Sequence, residues 1–169
     1  MEVKLDSDGG LDFYHLTLEH GFNVPVSFGP LAGTFDGRRL GNALCREVAC
    51  SVDIAAGGHC PQELAVRELS AVNSVGGEQS SGKGSSPLSA PIGCQSACAA
   101  FGGDQFCCRG PFDRLDRCRS SEWKVDYPSA VFKAYCPLAY SYKYDDSQST
   151  FICQSNVNGK VGYGLTFCP

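Results

Sequence analysis

Cysteine placement constrains this chain more than any other feature. Eleven cysteines stand at positions 45, 50, 60, 94, 98, 107, 108, 118, 136, 153 and 168 of 169 residues, and the first 44 positions hold none. That is about 6.5% of the chain, above ordinary usage and below the ~8–10% of miniature disulfide scaffolds. Structural zinc sites favour paired C-x₂₋₄-C knuckles with matching spacing. Cys45-x₄-Cys50, Cys94-x₃-Cys98 and the adjacent Cys107-Cys108 make no such pair of knuckles. Neighbouring residues of an extended segment point in opposite directions, so Cys107 and Cys108 feed two separate bridges. Disulfides are therefore expected, with no metal, and they need an oxidising compartment. The odd count leaves at least one thiol without an intrachain partner.

The remaining composition excludes several classes of function. With 14 Lys+Arg against 18 Asp+Glu, the net charge is −4, which offers no basic footprint for nucleic acid. No apolar stretch approaches the ~18 residues of a membrane span. The length suits one domain with a core of its own. Residues 1–8 (Met-Glu-Val-Lys-Leu-Asp-Ser-Asp) are acidic and polar, with no apolar h-region of a signal peptide. Two explanations stay open: the secretion information has been lost from this chain, or the chain is a piece of a longer precursor.

Periodicity points to a mainly β protein. Residues 11–18 read as a strand. After a turn at Glu19-His20-Gly21, Phe22, Val24, Val26 and Phe28 alternate with polar positions and Pro25. Proline removes a ladder donor, so this second strand is expected at an edge or bent at Pro25. Val161, Tyr163, Leu165 and Phe167 alternate in the same way, and Thr150-Phe151-Ile152 forms a shorter strand. Helix signal is confined to 94–101 and to 128–135, where Pro128 suits a first turn. The stretch 102–127 reads as loop. Residues 70–93 contain seven Ser, five Gly and two Pro, which predicts a flexible surface loop.

The ordered motifs carry a resemblance. Asp12-Phe13-Tyr14 followed by Gly21-Phe22-Asn23-Val24-Pro25 resembles the central segment of thaumatin-like proteins, the pathogenesis-related family 5 of plants. Cys60-Pro61-x-Glu63-Leu64, Asp104-Gln105-Phe106-Cys107-Cys108, Cys136-Pro137-x-Ala139-Tyr140-Ser141-Tyr142, Asp145-Asp146, Ser149-Thr150-Phe151 and the terminal Phe167-Cys168-Pro169 extend it. It covers residues 11–169 apart from the Ser/Gly loop. The resemblance implies a β-sandwich with a disulfide-rich, loop-rich subdomain carrying short helices. Residues 11–45 and 150–169 would supply sandwich strands and 46–149 mostly the subdomain, in a single partial domain that lacks the family's N-terminal half.

It also implies the bridges Cys45–Cys153, Cys50–Cys136, Cys60–Cys94, Cys98–Cys107 and Cys108–Cys118. Cys168 is then left unpaired and available for a covalent dimer. The family's cleft is acidic, and two of its Asp positions fall here on His15 and His20. A third falls on Asp145 or Asp146. Tyr140, Tyr142 and Tyr144, alternating on one strand-like face, either stack on sugar rings or fill half-buried strand positions. Glycoside hydrolysis needs two carboxylates about 5–5.5 or 6.5–9.5 Å apart. Asp145 and Asp146 are adjacent in sequence, which does not make them such a pair, and Asp12 and Glu19 read as solvated carboxylates. His15, His20 and His59 read as partly exposed histidines rather than metal ligands. The expectation is a plant defence protein, extracellular (apoplastic) or vacuolar. It would need no cofactor and would bind β-1,3-glucan, other cell-wall carbohydrate or a pathogen protein. The rival readings are a weak endo-β-1,3-glucanase and a non-functional gene fragment.

Overall fold

The computed structural model describes residues 1–7, 10–35, 45–54, 58–68, 89–123, 128–145, 148–154 and 159–169. Two three-stranded antiparallel sheets form the larger part. The first has the order β1-β2-β7, from Glu2–Ser7, Leu11–His15 and Phe151–Gln154. The second has the order β4-β3-β8, from Val48–Cys50, Val26–Pro30 and Tyr163–Phe167. Their inner faces meet through Tyr14, whose ring lies 5.6 Å from Phe151 in its own sheet. It lies 5.6 Å from Phe28 and 5.4 Å from Tyr163 in the other. Tyr14 is fully buried, and its hydroxyl donates to the Arg46 carbonyl at 2.6 Å and accepts from the Arg46 amide at 2.9 Å. Burial pushes its pKa up to about 12.

Several details differ from the sequence reading. The polar start of the chain is strand β1, an edge strand whose mostly exposed side chains conceal the pattern. Asp12 is buried rather than solvated: it accepts the Asp6 amide at 2.8 Å and the Tyr163 hydroxyl at 3.0 Å. The second strand begins only at Val26, just past Pro25, so proline stays outside the ladder and β3 is central. Val48–Cys50, read as part of the subdomain, pairs with β3 in the sandwich. Of the predicted Ser/Gly loop, Pro91–Cys94 is strand β6, paired with β5 at Ala65–Arg67. Residues 70–88 of that loop lie outside the described residues.

The subdomain begins where β6 delivers Cys94. Ser96 caps α1 (Ala97–Phe101), its hydroxyl accepting the Ala99 amide, and α2 (Asp104–Cys107) follows at once. The expected helix over 94–101 is thus shortened by the end of β6. The expected helix at 128–135 opens with a π-helical turn, Pro128–Lys133. The bridges are Cys45–Cys153, Cys50–Cys136, Cys60–Cys94, Cys98–Cys107 and Cys108–Cys118. Cys168 is a free, exposed thiol. Two reciprocal bonds, Phe22 amide to Cys94 carbonyl and Cys94 amide to Phe22 carbonyl, both 2.9 Å, tie sandwich to subdomain. Gly21 makes this approach possible. Its φ is +93°, and a Cβ there would lie 2.2 Å from the Cys94 carbonyl oxygen.

Candidate functional site

Past β2 the chain stays extended, and Leu16 and Leu18 exchange backbone bonds with Tyr140 at 2.8 Å. It then turns at Glu19-His20, closed by the Gly21 amide on the Leu18 carbonyl. This turn and residues 141–143 form one wall of a groove of about 210 Å³. The opposite wall is the start of α1, then Phe106 and Cys107 of α2, Arg109 and Trp123. A run of rings joins the two walls. Phe101, Phe106, Trp123 and Tyr142 stand 5.5, 5.3 and 5.6 Å apart in turn, the last two contacts edge-on.

One carboxylate holds residues 141–145 in shape. Asp145 Oδ2 accepts the Ser141 amide at 2.9 Å and the Ser141 hydroxyl at 2.6 Å. It also pairs with Lys133 Nζ at 2.9 Å. The same ammonium donates to the Ala139 carbonyl and the Ser149 hydroxyl. Fully engaged in this way, Asp145 clamps the wall and does not line the groove. Asp146 lies outside the described residues.

The other expected site residues separate. His20 lines the groove beside Glu19, the one carboxylate on its walls among the described residues. His15 sits instead against Glu2, at 3.3 Å, with its ring on Tyr140 at 4.6 Å. His59 meets the Tyr135 hydroxyl at 2.9 Å, and no metal-binding group of His, Cys, Asp or Glu occurs among the described residues. The three tyrosines do not share a strand face, because residues 142–145 turn. Tyr140 is buried with its hydroxyl on Thr150, and Tyr142 faces the groove. The Tyr144 hydroxyl donates to Asp113 at 2.8 Å, and Lys143 pairs with the same carboxylate oxygen. These two donors, the ammonium first, hold the Asp113 carboxyl below its ordinary range.

Sequence reasoning named Phe106 only within a family motif and did not single out Arg109 or Trp123. They belong to a stretch read as loop, and their only signal was their position between or beside bridged cysteines. Comparison with known proteins identifies the family. The Thaumatin family description matches residues 1–169. The chain is 36% identical over 169 residues to "Thaumatin-like protein 1" of Castanea sativa, covering 100% of this chain and 54% of that protein. Against "Thaumatin-like protein 1" of Pyrus pyrifolia it is 37% identical, with the same coverage. Against "Pathogenesis-related protein 5" of Arabidopsis thaliana it is 34% identical over 168 residues, 99% of this chain and 54% of the relative. The chain thus spans about half the length of these curated relatives.

Proposed function

The chain belongs to the thaumatin family, and from that premise we propose that its groove binds cell-wall carbohydrate of the β-1,3-glucan class without hydrolysing it, in a defence role. The observation that supports this reading is the run Phe106, Trp123, Tyr142 beside Glu19, His20 and Ser141. Aromatic faces pack on the apolar faces of sugar rings, and the polar groups meet hydroxyls. Hydrolysis would need a second carboxylate facing Glu19 across the bond to be cut. Asp145, behind the wall formed by residues 141–143, is paired with Lys133. Five bridges suit an oxidising setting, so the proposed location is extracellular or vacuolar.

The test is co-sedimentation with insoluble β-1,3-glucan, with reducing-sugar release followed in the same sample. Binding should weaken at least about tenfold in Trp123→Ala, the loss of one well-packed aromatic contact. No sugar should be released. Release of oligosaccharide that Glu19→Gln abolishes would establish the glucanase reading instead, and unaltered binding by Trp123→Ala would remove the groove from consideration.

A further inference from the structure

The rings of Phe106 and Trp123 line a second cavity as well, of about 420 Å³. Its other walls are Gln105, Phe112, Arg117 and Arg119, with Glu122 at the rim. The cavity is built on a short covalent staple. Cys108–Cys118 closes the loop whose turn at Gly110–Phe112 presents Phe112. The amides of Arg117 and Cys118 both donate to the Arg114 carbonyl, which fixes the backbone beneath Arg117. A second short turn, Ser120–Glu122, carries the chain from Arg119 to Trp123.

Charge is distributed unevenly here. The chain as a whole is at −4, yet two guanidinium groups flank this aromatic pocket against the single carboxylate of Glu122. Arg117 has no ion pair within 4 Å among the described residues, and the exposed carboxylate of Asp116, beside it in sequence, is its counter-charge. Arg119 has one exposed contact, 3.7 Å to Glu122, a solvent-screened pairing that a ligand carboxylate can exchange. Past the shared rings Arg109 adds a further cation to the groove, while Lys143 is already paired with Asp113. A guanidinium fork matches a carboxylate with two parallel hydrogen bonds, and the rings between suit the apolar faces of sugars.

We propose that the Arg117/Arg119 pocket is a subsite for an acidic glycan, a chain of uronic acids whose carboxylates pair with the guanidiniums while a sugar ring packs on Trp123 and Phe112. This goes beyond the glucan reading and does not depend on it. The ligand is assigned as a glycan rather than an acidic peptide because three aromatic side chains, Phe106, Phe112 and Trp123, share the cavity with the arginines.

The probes are de-esterified polygalacturonate, its fully methyl-esterified form and polyglutamate, with soluble β-1,3-glucan as a separate arm, measured by titration calorimetry on the oxidised chain. Polygalacturonate should bind, and the methyl ester, which keeps the backbone and loses the charge, should bind at least tenfold more weakly. Arg117→Gln/Arg119→Gln should cost the acidic ligand tenfold or more and leave β-1,3-glucan unchanged. Glu122→Gln should tighten polygalacturonate severalfold, since it removes the competing carboxylate. Added salt should weaken it steeply. Equal binding of ester and acid overturns the proposal, as does indifference to the double substitution. Polyglutamate binding as tightly as polygalacturonate would make this a general anion patch and equally overturn the glycan assignment. Both substituted sites are exposed, so the variants should fold, and a retained β-1,3-glucan response or an unchanged melting curve verifies that they do.

Discussion

The sandwich and the subdomain are held together by opposite means. Cys45–Cys153 in the sandwich, and Cys50–Cys136 from strand β4 to the end of the 128–135 helix, span 108 and 86 residues and join segments that are already packed in one buried core. In the subdomain, Cys98–Cys107 and Cys108–Cys118 span 9 and 10 residues, around helices of five and four residues. Helices so short are unstable alone. Closing a ~100-residue loop is worth about 4.7 kcal/mol in the chain-entropy model, and a ~10-residue loop about 2.7. Long bridges therefore secure the fold, while short ones define a surface. The difference teaches where the proposed binding surfaces lie: on the part whose shape comes from covalent staples, and which can vary its side chains without disturbing a core.

The sharpest way to break the comparison is to remove bridges of each kind. Cys45→Ser/Cys153→Ser should cost about 4–5 kcal/mol and unfold the sandwich near ambient temperature. Cys98→Ser/Cys107→Ser should cost about 2–3 kcal/mol and abolish groove binding first. Melting curves read beside glucan binding check both; equal losses would refute the division of labour. Next in size is the joint between the regions. Gly21→Ala should cost roughly 2–4 kcal/mol, because φ of +93° and the Cys94 carbonyl both oppose a Cβ. Amide exchange should then show Phe22 and Cys94 losing protection before the sheets do.

A smaller effect sharpens the picture of the core. Tyr14 has its folded-state pKa raised to about 12, above the usual ~10 of the unfolded chain. Its contribution is therefore complete below pH ~10 and is lost as pH rises through about 12. Tyr163 is shifted in the same direction, by burial and by its bond to the Asp12 carboxylate. Denaturant titrations should show stability falling across that window. Tyr14→Phe should lose about 1–3 kcal/mol at pH 7 and flatten the slope. The smallest effect tests the surface: Arg114→Ala removes an ion pair whose side chains are 68% and 57% exposed, and should shift stability by less than about 0.5 kcal/mol.

Alternation located β3 and β8, and aromatic and aliphatic residues located β2 and β7. Buried positions follow period two in β2 and β7, whereas β3 is buried almost throughout and β8 leaves Leu165 and Phe167 exposed. Composition established an oxidised, β-rich chain. The bridge partners came from resemblance to a family, since spacing by itself allows many pairings. Other features had no local signal. Strand β1 forms on the edge that β2 offers, with Val3 half-buried and Leu5 exposed among polar neighbours. Asp12 is buried because Tyr163, 151 residues away, reaches it. Asp145 became a clamp rather than a cleft charge once Lys133 and Ser141 closed on it, and Tyr140, Tyr142 and Tyr144 parted company where the chain turned. The groove is of the same kind. Glu19, Ser96, Phe106, Trp123 and Tyr142 meet only because bridges and the Gly21 crossing bring distant loops together. Sequence periodicity reports which side of an element is dry; which loops share a wall depends on long-range closure, and that is decided in three dimensions.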